Sequence, residues 1–295
     1  MFKIIRRTNV WFIISGILMV LSIVAIATFG LRLGVDFKGG TVIEFKSTNP
    51  DKISVVETTL KEKYNSGYQI KAAGNETVVV RLPVQSPDEH IEFTQTIKMT
   101  LPDYNEISYD TVGPTISKDL INKSILAIIL ASMGIIVYIA YAFRRIPRPL
   151  SSWKFGASAI IAIIHDLLVT TGVISVVSYF VPWMEVDALF VTALLTIMGF
   201  SVHDTIVVYD RLRENFIKNP HQDIGLTTEE SVNQTLARSI NTSMTVIIVL
   251  LALFLLGGTS VKHFILTLII GIFFGTYSSI FVAAGLVVRW HKKAN

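Results

Sequence analysis

The sequence contains no cysteine, which excludes a disulfide framework and a thiolate-bound metal and leaves the redox compartment unread. Charge is scarce too. Asp, Glu, Lys and Arg make up 16% of the 295 residues, against about 25% in soluble domains, while 51% are hydrophobic and the mean hydropathy is +0.56. That balance belongs to a membrane protein. There is no HExxH for zinc, no G-x-S-x-G nucleophile elbow and no Walker A loop, so those enzyme and ATP-driven readings have no residues to stand on. Neither an enzyme nor a cofactor is expected.

Uncharged apolar runs long enough to cross a hydrocarbon core of about 30 Å recur along the chain. The first is Val10 to Phe29, preceded by Lys3, Arg6 and Arg7. Ala25, Ile26 and Ala27 form an A-x-A pattern, but the run exceeds the 7 to 15 residues of a signal-peptide core, so a span and not a cleaved leader is expected. Further spans are expected at Ser124 to Phe143, Phe155 to about Val181, Ala188 to Tyr209, from just after Arg238, and at Phe264 to Val288. Fourteen of the 26 Lys and Arg fall in four short segments: the N-terminus, Arg144 to Lys154 (with Arg145 and Arg148), Arg211 to Arg238, and the tail with Arg289, Lys292 and Lys293. Each abuts a span and none has interleaved aromatic residues, so they mark cytoplasmic loops and not nucleic-acid binding. Six spans with both termini cytoplasmic follow. Pro147 and Pro149 stiffen one inner loop, Pro182 to Asp187 with Trp183 makes a tight outer one, and Pro220, Gly225 and a helix start at Thr228 to Ser231 mark an inner linker.

Between Leu31 and Lys123 the character changes, with 13 acidic and 11 basic residues. Thr41 to Phe45 reads as a strand, and Ile53 to Tyr64 as a helix with Ile53, Val56 and Leu60 on one face. Tyr68 to Ala72 and Thr77 to Leu82 read as strands joined through Gly74 and Asn75, Ile91 to Leu101 as a helix entered from Pro87, and Asn105 to Val112 as a strand. The order β-α-β-β-α-β predicts a ferredoxin-like α+β domain outside the membrane. His90, among Asp88, Glu89 and Glu92, reads as a solvated helix start. The expected organisation is 1–30 for the first span, 31–123 for the outer domain and 124–295 for the other spans.

Two acids lie inside apolar runs: Asp204 beside His203, and Asp166 beside His165. A charged side chain at mid-membrane costs roughly 2.5 to 3.5 kcal/mol on insertion scales, and such groups usually face a protein interior or a water-filled path. Asp204 needs a reason to exist. Ser158, Ala162, Asp166 and Thr170 recur every fourth residue, so that acid sits in a stripe of small or polar groups suited to close packing. Arg238, Asn241, Thr242 and Thr245 share one face at the start of the fifth span, which places Arg238 at a depth similar to Asp204 as its candidate ion-pair partner. His203 points about 100° away from Asp204 around the helix. A carboxylate whose surroundings alternate between wet and dry, and between a cation and none, changes its hold on a proton. Asp166 and Asp204 are also the available pair for an intramembrane aspartyl protease, a reading that paired acids in membranes favour less than a proton path. In the sixth span Gly271, Gly275, Ser279 and Ala283 form a small-residue ridge for helix packing.

GVDFKGGT at Gly34 to Thr41, including Asp36, Gly39 and Gly40, VGP at Val112 to Pro114 with Gly113, HD at His165 and Asp166, and GFSVHDTIVVYDRLREN at Gly199 to Asn215 resemble the motifs of the SecF family. That family is the smaller subunit of the SecDF protein-export complex, related to the resistance-nodulation-division transporters, and the resemblance covers the whole chain. It implies pairing with SecD, work with the SecYEG translocon, and use of the proton-motive force to draw preproteins across a bacterial plasma membrane, among membrane lipids. It also implies that Asp204 is the proton-carrying acid and Arg238 its coupled arginine; Asp166 matches a family acid, and family members commonly carry asparagine where His203 stands. Because the SecD half is not on this chain, a separate partner is expected. The other readings are a translocon scaffold or assembly subunit without proton transport, and half of a transporter-family exporter of lipids or small molecules.

Overall fold

The computed structural model describes residues 2–64, 68–72, 76–144, 152–181, 183–258 and 261–292. The expected turn at Gly74 and Asn75, the loop residues Arg145, Pro147, Arg148, Pro149 and Pro182, and Lys293 lie outside the described residues. The chain divides into a helical unit, residues 1–31, 126–180 and 189–295, and a sheet unit, residues 32–125 and 181–188.

In the sheet unit, strand β1 (Gly40–Lys46) is followed by helix α3 (Lys52–Tyr64), strands β2 (Gln69–Ala72) and β3 (Thr77–Leu82), helix α4 (Pro87–Thr100) and strand β4 (Asn105–Val112). The strands lie in the order β2-β3-β1-β4 and all pair antiparallel. Alternation decides the faces, because successive strand residues point to opposite sides. Ile43 and Phe45 of β1 and Val78, Val80 and Leu82 of β3 therefore turn inward together, against Val56 and Leu60 of α3 and Phe93 and Ile97 of α4. Ile53, expected on the same face, is 39% exposed; in the first turn of the helix it is Lys52 that is buried, its Nζ donating to the Ser47 carbonyl at 2.9 Å. Ser86 caps α4 through a capping box with Glu89, and Pro87 opens it, as helix-start chemistry favours. His90 is not solvated: its ring stacks on Tyr109 at 3.7 Å and its Nε2 lies 3.3 Å from Glu106.

A four-residue helix, α2 (Val35–Lys38), precedes β1, a turn too short to leave a period in the sequence. It ends at Gly39 (φ 75°) and Gly40 (φ 127°), a backbone that residues with a Cβ rarely adopt. A Cβ on Gly40 would also lie 2.9 Å from the Leu82 carbonyl oxygen. Gly39 sits against the Val112 carbonyl, Pro114 and Ser117, so GVDFKGGT and VGP, far apart in sequence, meet in space. The 181–188 segment joins this unit: Gly34 N–H donates to the Val186 carbonyl at 2.9 Å, Val186 N–H donates to the Arg32 carbonyl at 2.8 Å, Asp36 accepts from the Ala188 N–H at 2.9 Å, and Arg81 pairs with Glu185.

Six helices among the described residues are long and apolar enough to cross a membrane. They are α1 (Thr8–Phe29, extended by a 3-10 turn from Ile5), α5 (Pro114–Ala142), α6 (Ser152–Phe180), α7 (Ala188–Lys218), α8 (Ile224–Leu256), and α9 (Lys262–Ser278) continued through a π-helical turn (Ser279–Ala283) into α10 (Ala284–Lys292). α7 and α8 have 31 and 33 residues, about 46 to 50 Å at 1.5 Å per residue, and so outrun a hydrocarbon core. The expected linker between them shrinks accordingly. Asp223 caps α8 by accepting from the Leu226 N–H at 3.0 Å, so Gly225 and Thr228 lie inside the helix. Within the helical unit α6, α7 and α9 bury much of their surface, while α1, α5 and α8 expose most of their apolar residues.

Candidate functional site

Asp166, at the middle of α6, is 1% exposed. Its stripe mates Ser158, Ala162 and Thr170 are buried with it, as the four-residue spacing predicts. Ser201 of α7 donates to Asp166 Oδ2 at 2.6 Å, and Ser278 of α9 donates to the same oxygen at 2.7 Å. His165 Nδ1 lies 3.0 Å from the other oxygen, Oδ1, although neighbours on a helix rarely meet. With its hydrogen on Nδ1, the ring presents Nε2 as an acceptor, buried and without a partner among the described residues. The His165 ring centre is 6.0 Å from that of Tyr277, whose hydroxyl lies 3.1 Å from Ser15 of α1.

Asp204 of α7 is 6% exposed, and Ser279 donates to its Oδ2. The adjacent serines 278 and 279 thus each serve a different carboxylate, because α9 lies against both α6 and α7 and consecutive side chains diverge by about 100°. The hydroxyl of Ser239, on α8, faces the same Asp204 carboxylate and has no hydrogen-bond partner of its own among the described residues.

The expected ion pair is not formed. Among the described residues Asp204 has no salt bridge, and Arg238 is exposed together with Asn241, Thr242 and Thr245. The four share a face as read, but that face turns away from the helices of this chain. The face turned inward carries Ser239 and Ser243, the latter 2.5 Å from Thr276 of α9. His203 is exposed while Asp204 is buried, the divergence that one residue of helix imposes. Asp166 and Asp204 are each joined to neighbouring serines, and no hydrogen bond links the two carboxylates.

The glycine ridge is what allows α9 so close to α7. A Cβ on Gly271 would overlap Ile197, and one on Gly275 would stand 3.1 Å from Ser201 Cβ and 3.7 Å from Asp166 Oδ2. Spacing had marked Ser279 for packing alone; Ser201, Ser239 and Ser278 gave no signal, since a serine in a transmembrane helix is as often packing as ligand. Glu229 was also silent. It is 4% exposed and accepts from the backbone N–H groups of Ile4, Ile5 (3.2 Å) and Arg6 (3.0 Å), an acid set where the free donors of a helix start converge.

Two family models match the chain: "Protein export membrane protein SecD/SecF, C-terminal" over residues 92–293 and "SecD/SecF GG Motif" over residues 24–51. It is 42% identical to the protein translocase subunit SecF of Thermobaculum terrenum over 99% of this chain and 95% of that one. It is 38% identical to that of Synechocystis over 95% and 91%. The crystal structure of SecDF from Thermus thermophilus, described as a translocon-associated membrane protein, superposes with a TM-score of 0.84 at 30% identity. A structure of SecDF in a super-membrane-facing form gives 0.70 at the same identity. Both cover 99% of this chain, which spans 39% of each SecDF chain.

Proposed function

Because the chain belongs to the SecF family of protein translocase subunits, we propose that it is an auxiliary subunit of the Sec translocase which, with SecD, uses the proton-motive force to promote preprotein export through SecYEG. It sits in the lipids of a bacterial plasma membrane with both termini cytoplasmic. Residues 1–30 enter and cross, residues 31–123 form a ferredoxin-like extracytoplasmic domain, and residues 124–295 supply the other five spans. The ferredoxin-like reading is supported by the chain order β-α-β-β-α-β and by the all-antiparallel strand order β2-β3-β1-β4.

The observation that carries the proton-driven reading is a buried acid in a candidate span, Asp204, bonded by a neutral hydroxyl and without a salt bridge among the described residues. An intramembrane acid facing protein and not lipid is a functional residue by default. Asp204 takes up and releases the proton. Arg238 stands one residue from Ser239, so turning α8 by one residue's share of a turn, about 100°, exchanges the serine for the guanidinium beside Asp204. That exchange is the toggle. Asp166 is a second protonatable group on the path, and His203, next to Asp204 in sequence, is a further titratable group in the proposed relay. The unequal superpositions on two SecDF structures of equal identity agree with a fold that takes up more than one arrangement. A proton crossing the membrane releases roughly 2.3 kcal/mol per 100 mV, which supplies the work.

Vesicles carrying the translocase with this chain and its SecD partner test the reading. With a proton gradient, the wild type stimulates preprotein export and Asp204→Asn does not, although the complex still assembles. Equal stimulation by both would leave only a scaffold role.

A further inference from the structure

We infer that Ser278 and Ser279 are positioning residues whose hydroxyls reverse direction as Asp166 and Asp204 gain and lose a proton. The inference deepens the reading above and rests on it for its purpose, but its geometry is independent of whether protons do work.

Each serine hydroxyl has one hydrogen and two acceptors in reach. Ser278 can donate to Asp166 Oδ2 at 2.7 Å or to the carbonyl oxygen of Gly275, three residues back, at 3.1 Å. Ser279 can donate to Asp204 Oδ2 or to the carbonyl oxygen of Thr276 at 3.0 Å. A hydroxyl both donates and accepts, whereas an ionised carboxylate only accepts and a protonated one carries an O–H to give. With the acid ionised, the serine donates to it. With the acid protonated, the acid's O–H donates to Oγ, and the serine's hydrogen swings to its own backbone carbonyl. No hydrogen is created or lost beyond the one the acid binds, and both states leave the buried groups bonded. Leaving either unsatisfied costs about 1 to 3 kcal/mol, so the hydroxyl keeps both forms of the acid accessible.

The two switches sit side by side where α9 passes into the π-helical turn Ser279–Ala283, a local widening that recurs at functional sites. Adjacent residues of one turn therefore hold acids from two different helices, α6 and α7. The other groups turned toward Asp166 are Ser201 and His165, and the remaining groups near Asp204 are Ser239 and, from its own helix, His203. None of them brings an acceptor carbonyl of the kind each of the two serines has at its own i−3 position.

Infrared difference spectra of the purified full chain, acidic minus neutral, provide the test. The protonated-carboxyl C=O bands are assigned by their loss in Asp204→Asn and Asp166→Asn. Ser279→Val and Ser279→Thr have nearly equal volume, so packing changes alike and only the hydroxyl differs. The expected result is an Asp204 band shifted to higher wavenumber in Ser279→Val and left in place in Ser279→Thr, with the same contrast for the Asp166 band at Ser278. Bands that ignore the loss of the hydroxyl at either position, bands that shift equally in Val and Thr variants, or acids that never show a protonated band overturn the inference. Bands that respond as expected while Asp204→Asn still stimulates export uphold it and sink the proton-driven function instead.

Discussion

At the scale of single residues, placement follows hydrogen-bond supply more than charge. Asp204 is held by Ser279 and not by Arg238, and Glu229 is held by three backbone N–H groups and, among the described residues, by no cation. Removing the Glu229 acceptor in Glu229→Ala leaves the Ile4 and Ile5 donors buried and unpaired, at about 1 to 3 kcal/mol. Hydrogen exchange at Ile4 to Arg6 should quicken by ten-fold or more in that variant, with exchange in the sheet unit unchanged. Asp103 is the acid whose pH response can be read directly. Its carboxylate accepts from the Thr48 hydroxyl at 2.8 Å, the Ser47 hydroxyl at 2.9 Å and the Thr48 N–H at 2.6 Å, and these bonds draw its pKa down to about 2. An acid whose folded value lies below its unfolded one stabilises the fold above the unfolded value, near 4, and loses that contribution as pH falls toward the folded one. Thr48 amide protection should therefore differ between wild type and Asp103→Asn at neutral pH, and the difference should vanish as pH drops from about 4 to about 2.

At the scale of elements, the close α7–α9 contact depends on glycine. Gly271→Ala drives a methyl into Ile197, which is 0% exposed, and overpacking of this kind costs about 1 to 3 kcal/mol. Thermal melting of the chain in detergent should drop by several degrees, more than for alanine at Gly16, where nothing lies within 4 Å. What could be read in advance differs between the two units for a physical reason. In the sheet unit one face of the strands carries the buried core, so alternation separated inside from outside, and β3 (Thr77–Leu82) and β4 (Asn105–Val112) have the bounds that the alternation predicts. α2 escaped because four residues between glycines carry no period. In the helical unit periodicity grouped Arg238 with Asn241, Thr242 and Thr245 correctly but gave no direction for the group, since lipid and protein interior are equally apolar. Asp166 was placed rightly because its stripe mates are small, and small residues mark where helices touch.

At the scale of the whole molecule, the polar face of α8 and His203 are exposed in this chain, and lipid would give such groups no bonds. A second membrane half should cover them. The absence of native cysteine makes this easy to read: a cysteine at Asn241 should react with a membrane-permeant maleimide in the chain alone and be protected several-fold when the SecD partner is co-produced. The share of each SecDF chain that this one spans, 39%, leaves room for such a half. The account as a whole turns on Asp204 moving a proton. The direct measurement is proton flux into liposomes holding this chain with SecD under an imposed potential, for wild type and Asp204→Asn at matched protein content. The account predicts flux in the wild type and none above protein-free liposomes in the variant; equal flux in both would contradict it.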